Sequence, residues 1–178
     1  MAETRQYKGL TLRFLQTALR VRPIYILADL LSSFRFVVAG ESMEPTLASN
    51  QYLLISRLHY LVGNTHRGDL IVLHHPSHPK RDFVKRIIGL PGEHLNIKGG
   101  QVFINGNLLR EPYLKKEGSY PDPTPSQWLL GEEEYFVMGD NRADSQDSRA
   151  FGPIDRNLIV GRVWLCYWPP RSWGLIRS

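Results

Sequence analysis

Ahead of Ser33 the apolar positions follow a helical rhythm. Leu12, Leu15 and Leu19, with Phe14 and Ala18 beside them, form one apolar stripe on a helix predicted from Leu10 to Val21. Pro23 then interrupts or kinks it, because proline has no amide hydrogen and its ring crowds the preceding turn. The next apolar run, Ile24 to Leu31, contains Asp29 and is far shorter than the roughly twenty residues a bilayer-spanning helix requires. A central aspartate costs about 3 kcal/mol to insert, so an amphipathic helix lying in the headgroup layer competes with a spanning one. No uninterrupted apolar core followed by a small-residue cut site marks the segment as a cleavable leader.

After Ser33 the rhythm changes to short β-branched and aromatic runs separated by turn residues. Strands are predicted at Phe34 to Ala39, Tyr52 to Ser56, Leu70 to Leu73, Phe83 to Ile88, Gln101 to Ile104, Glu134 to Met138 and Ile159 to Tyr167. Gly99-Gly100 and Asn105-Gly106 bracket the Gln101 run at hairpin distance, which predicts an antiparallel meander there. Pro121, Pro123 and Pro125, set among Ser, Asp and Thr, mark an irregular surface excursion. The pattern therefore predicts a mainly β chain: an antiparallel β-sheet domain over residues 34–178, preceded over residues 1–33 by a basic segment with an amphipathic or membrane-associated helix.

Composition narrows the setting. With 178 residues, of which 42% are hydrophobic and 22% charged, the chain can bury an independent core and is neither wholly disordered nor polytopic in a membrane. The net charge of +5 is concentrated at the front, where Arg5, Lys8, Arg13, Arg20 and Arg22 face Glu3 alone. The remainder is close to neutral and lacks a basic nucleic-acid footprint. Basic residues ahead of an apolar stretch are the signal that keeps an N-terminus cytoplasmic and sends the rest of the chain outward. Cys166, the single cysteine, permits no internal disulfide and leaves the compartment open.

Three segments carry candidate chemistry. In GESMEPTL, Gly40 to Leu47, Ser42 follows a strand through a glycine and is placed either as a nucleophile or as the cap of a turn. In RDFVKRIIGLPGE, Arg81 to Glu93, strand alternation puts Phe83, Lys85 and Ile87 on one face and Arg86 on the other. A lysine of ordinary pKa, about 10.4, is almost wholly protonated at neutral pH and accepts no proton. Burial among apolar neighbours favours the neutral amine, and a drop of about three pH units disfavours the protonated form by about 4 kcal/mol. The alternative is a lysine at a sheet edge that discourages aggregation.

The third segment, MGDNRADSQDSRAFGPI, Met138 to Ile154, is dense in Asp, Asn, Ser and Arg directly after a strand. A polar turn explains such a composition. Calcium is disfavoured, because Arg142 and Phe151 fall where a twelve-residue calcium loop needs ligands. Asp147 and Arg149, two apart, can pair to brace the loop, and Ser145 can offer a hydroxyl to a neutral lysine amine. All six histidines lie between His59 and His94, but HHPSHPK lacks the ligand spacing and companion cysteines of a structural zinc site. No motif nominates a histidine for a serine triad.

Taken together, GESMEPTL, VKRIIGLPGE and MGDNRADSQDSRAFGP resemble, in order, the signature boxes of the type I signal peptidase family. RGDLIVL, VFINGNLLREPYL and VGRVWLCYWP resemble further family stretches, so the likeness runs from about Phe34 to the C-terminus. The resemblance implies a membrane-associated serine endopeptidase with a Ser-Lys dyad that removes signal peptides from exported preproteins after small residues of the Ala-x-Ala type. It implies no metal or other cofactor. Carried over residue by residue, Ser42 is the nucleophile, Lys85 the general base, Ser145 the hydroxyl that orients the amine, and Asp147 with Arg149 a structural ion pair. The amide of Ser42 is implied as one oxyanion donor; some members add a serine hydroxyl two residues earlier, where this chain has Gly40.

The substrate is expected as an extended strand with alternate side chains in small pockets near Phe36, Val38 and Gly40 on one side and Asp82 and Val84 on the other. The expected partners are preprotein signal peptides and a lipid surface, with no nucleic acid, and the chain is expected to act as a monomer. Its place would be the cell membrane, N-terminus cytoplasmic and catalytic domain outside. The short stretch between the last two boxes predicts a small accessory subdomain. Two other readings compete: a self-cleaving Ser-Lys repressor-type protein, and a non-catalytic β-module that binds extended peptides at the membrane. The first needs an upstream DNA-binding domain, and residues 1–41 show no helix-turn-helix pattern.

Overall fold

The computed structural model describes residues 33–57, 65–114 and 126–176. The predicted N-terminal helix and the excursion through Pro121, Pro123 and Pro125 lie outside the described residues. What is described is mainly antiparallel β. The larger sheet begins with β1 (Phe34–Val37) and β2 (Tyr52–Ser56), followed by β11 (Ile159–Trp168) and β3 (Leu70–His75). It continues through β4 (His78–Gly89) and β9 (Glu134–Met138) to β10 (Ile154–Asp155), while β12 (Gly174–Leu175) pairs with β11. The smaller sheet has the order β7 (Asn107–Leu108), β6 (Gln101–Ile104), β5 (His94–Lys98), β8 (Ser126–Leu129). A single short α-helix among the described residues, α1 (Ser148–Phe151), follows β9. No helix among them is long and apolar enough to cross a membrane.

The continuous apolar run of β3 follows from burial on both faces. Leu70 and Val72 join Leu53, Ile55, Val84 and Val163 in one core, whereas Ile71 and Leu73 join Ile87, Val137, Ile154 and Ile159 in another. Each such side chain stabilises the fold by roughly 1.5–3 kcal/mol when fully buried. A third core, built on Ile88, Leu95, Ile97, Val102 and Phe136, joins the small sheet to β9 and the end of β4. The small sheet occupies the stretch between the VKRIIGLPGE and MGDNRADSQDSRAFGP segments. Its turns explain the paired glycine signals: Asn105 and Gly106 have φ of 49° and 81°, and Gly99 and Gly100 have 58° and 75°. Two successive residues at positive φ match the right-handed twist of the flanking strands.

Two edges of the larger sheet flank the site. β1 pairs with β2 alone among the described strands, and β4 pairs with β9 only from Arg86 onward. The first half of β4, from His78 to Lys85, thus has β3 on one side and an open ladder on the other. This strand begins five residues before the predicted Phe83, because the β3–β4 hairpin extends past the apolar run into His78, Lys80 and Arg81.

Candidate active site

The chain leaves β1 through Gly40, whose φ of 89° belongs to the left-handed region that a side chain disfavours. A turn comes next, with Glu44 N donating to Glu41 O and Leu47 N to Met43 O. Met43 and Leu47 are buried in the core and anchor this turn from beneath. Ser42 stands on its rim, half-buried.

Lys85 comes from the opposite wall. It pairs across β3 with Ile71 and is 2% exposed. Its Nζ donates to Ser42 Oγ at 2.7 Å and stands 5.0 Å from the ring centroid of Phe83, the neighbour that strand alternation puts on the same face. The sheet-edge alternative fails on burial. Desolvation lowers the Lys85 pKa from 10.5 to about 8, against the pull of the Asp147 and Asp140 carboxylates and with a smaller push from Arg149. An amine in this range is neutral in an appreciable fraction near neutral pH, and the 2.7 Å contact is short enough for it to take the hydroxyl proton.

The third segment closes the site as a braced loop. Asp147 is fully buried, and its Oδ1 accepts from Arg149 Nε at 2.8 Å while its Oδ2 accepts from the amide of Gly139 at 2.9 Å. The same carboxylate caps α1 by accepting from Arg149 N. Ser148 Oγ accepts from Val137 N at 3.0 Å and fixes the loop to β9. Ser145 Oγ is buried without a hydrogen-bond partner among the described residues. It lies against Gly139, where an added Cβ would overlap Ser145 Oγ and the Ser42 carbonyl oxygen. Gly139→Ala is therefore expected to lower the turnover of a cleavable peptide by about 10- to 100-fold, since overpacking of about 1–3 kcal/mol must move Ser145 or Ser42; steady-state kinetics checks this.

A groove of about 360 Å³ runs between the end of β1 and the open half of β4, with Ser42 and Lys85 at its floor. Phe36, Val38, Gly40, Asp82 and Val84 all line it. Glu41, Asp144 and Gln146 line it too; sequence reasoning weighs Asp144 only among the acidic residues of a disfavoured calcium loop and does not pick out Glu41 or Gln146. Asp82 is paired across the hairpin with His74, Oδ1 to Nδ1 at 2.6 Å. His75, from the same histidine tract, packs its ring on Phe83 and Phe151.

Sequence reasoning also missed Arg86, Asp140, Arg142 and Glu111. Arg86 faces away from Lys85 and is buried, holding Asp140 through Nε at 2.8 Å and Nη2 at 2.6 Å. Arg142 pairs with Glu111, both buried. The available signal was a charge inside VKRIIG: a buried arginine must find a carboxylate, and GDNR offers the aspartate.

Comparison with known proteins adds an independent line. The family model described as signal peptidase, peptidase S26, matches residues 11–168. Signal peptidase IB of Staphylococcus aureus is 36% identical over 149 residues, covering 75% of this chain and 77% of that protein. Signal peptidase I of Bacillus caldolyticus is 39% identical over 145 residues, covering 75% of this chain and 79% of that protein. A crystal structure of a signal peptidase I from Enterococcus faecalis V583 covers 57% of this chain and 97% of its own, with 30% identity and a TM-score of 0.49.

Proposed function

The chain belongs to the signal peptidase family, peptidase S26, which makes it a serine peptidase that removes signal peptides, and we propose that Ser42 is its nucleophile and Lys85 its general base. The observation that carries this reading is the 2.7 Å contact between Lys85 Nζ and Ser42 Oγ, made by a buried amine at the floor of an open groove. Neutral Lys85 takes the Ser42 proton as Oγ attacks the scissile carbonyl. The resulting ammonium then protonates the departing amine, leaving an acyl-enzyme ester and a neutral lysine. The same amine activates water against the ester, and the carboxylate product leaves with Ser42 regenerated.

The Ser42 amide donates to the developing oxyanion, a contribution of about 3–4 kcal/mol to the barrier for one donor. Ser145 lies beside this centre, against Gly139, and its hydroxyl makes no hydrogen bond among the described residues, which leaves it available to hold the lysine amine during the reaction. Asp147 and Arg149 brace the loop that carries it.

The preprotein lies along the groove as an added strand between β1 and the open half of β4, its small residues entering between Phe36, Val38 and Gly40 and the opposing Asp82 and Val84. A lipid surface would sit close by. Val37, Tyr52 and Trp168 are register neighbours across β1, β2 and β11, and they are 45%, 38% and 52% exposed. Trp173 and Leu175, just before and within β12, are exposed as well. Exposed aromatic residues continuous with the groove wall suit the headgroup layer. Together with the basic N-terminal segment they favour a membrane-associated monomer, N-terminus cytoplasmic and catalytic domain outside.

The test is the pH dependence of cleavage of a model preprotein bearing an Ala-x-Ala site. Because the neutral amine is the active form, kcat/KM is expected to rise with pH and level off above an apparent pKa near 8. Below that value the loss is about tenfold per pH unit. A rate independent of pH between about 6 and 8 would remove Lys85 from the base's role.

A further inference from the structure

A chain of buried polar contacts reaches the nucleophile from the small sheet. Glu111, just beyond β7, and Arg142, in the loop after β9, are both buried. Arg142 engages both carboxylate oxygens of Glu111 with its terminal nitrogens and turns Nε to the carbonyl of Gly139 at 3.0 Å. Tyr113 OH donates to Glu111 at 2.6 Å, and its ring lies 3.9 Å from the Arg86 guanidinium. Burial, with the adjacent Glu111 charge, pushes the Tyr113 phenol up, so it stays a donor.

From Gly139 the restraint passes to Ser42 within two residues. The amide of Asn141 donates to the Ser42 carbonyl at 3.0 Å, and Asn141 Nδ2 donates to the Glu41 carbonyl at 3.2 Å. Gly139 itself is held on both sides, its carbonyl by Arg142 and its amide by Asp147. Arg142 lies on the same loop as Gly139 and moves with it unless something outside the loop fixes it. Glu111 supplies a point outside that loop: it lies in the segment after β7, which Leu109 N ties to the Val102 carbonyl of β6 at 2.8 Å.

We infer that Glu111, acting through Arg142, is a positioning residue for the nucleophile: it sets the Gly139–Asn141 turn against the main chain of Ser42 and so fixes the direction of the Ser42 amide. The inference rests on the reading of Ser42 as nucleophile and oxyanion donor. Glu111 touches no reacting atom. Its effect should appear where charge develops on the carbonyl oxygen rather than where the substrate is first held, because most of the groove lining comes from β1, the turn after it and β4, with Asp144 and Gln146 the loop's only share.

Glu111→Gln keeps the shape and one acceptor but removes the charge that orients Arg142. In the full chain, kcat for a model preprotein is expected to fall roughly 10- to 100-fold, with KM changed by no more than about twofold. A merely structural residue would lower the folded fraction without altering which ligands bind. The discriminating readout is a peptide aldehyde ending in alanine, to whose carbonyl carbon Ser42 Oγ adds while the hydroxyl proton is taken up in the site, compared with the matching peptide alcohol, which fills the groove only. Aldehyde affinity should fall by about the same factor as kcat while alcohol affinity holds. Unchanged kcat, or equal losses for both ligands, would overturn the inference.

Should Glu111→Gln fail to fold, Tyr113→Phe removes one hydrogen bond from Glu111 and carries the same pattern at a few-fold scale. A Ser42→Ala control separates the two readings. Cleavage by that variant defeats the assignment of Ser42, whereas an inactive Ser42→Ala beside a fully active Glu111→Gln defeats the role of Glu111 alone.

Discussion

Replacing Lys85 with arginine is expected to lower kcat/KM for a preprotein by on the order of 10⁴-fold, down to the background of a site without a base. Guanidinium is never deprotonated in proteins, so the substituted side chain would hold a permanent charge where a proton acceptor is required. Size alone could also disturb a side chain that is 2% exposed. Lys85→Met removes that ambiguity: it has similar length, no charge and no basicity, and it spares the fold the desolvation of a buried amine. Both variants should be inactive, and the methionine variant should match or exceed the wild type in denaturant stability. Full activity in the arginine variant would eliminate lysine from the mechanism.

Ser42→Ala should cause a loss of at least comparable size, about 10⁴- to 10⁶-fold, because removing the nucleophile leaves only binding and the oxyanion donor. The fold should survive. Ser42 is half-buried at the groove floor, and its main-chain contact with Asn141 remains when the hydroxyl is gone. The variant is thus expected to bind a preprotein without cutting it, measured as complex formation with no product on the timescale of complete wild-type turnover. Undiminished processing would leave the groove as a peptide-binding module and nothing more.

Much of this site was legible because its parts sit in compact segments with local logic. The apolar flanks of Lys85 announce burial, and burial is what lowers an amine's pKa; the GESMEPTL and DSQDSR stretches carry the hydroxyls and the ion pair. The runs Tyr52–Ser56, Gln101–Ile104 and Glu134–Met138 were readable to the residue, since each joins a β-branched or aromatic run to a clear turn signal. By contrast β5, β7, β8, β10 and β12 carry two apolar residues at most and become strands by pairing with neighbours, so no local pattern identifies them. Glu111 was invisible for a related reason. No local pattern announces a buried carboxylate there, because the charge that pairs with it, Arg142, lies 31 positions away.

The open ladder along His78 to Lys85, facing the single-sided β1, has a consequence for what the enzyme can accept. In the proposed binding mode, a segment there is gripped chiefly by its amides and carbonyls, which every polypeptide possesses, while side chains aimed at solvent go unread. Discrimination is confined to the few positions that turn inward. Cargo of unrelated sequence can then share one protease, provided each presents a slim, extended stretch at the point of cutting.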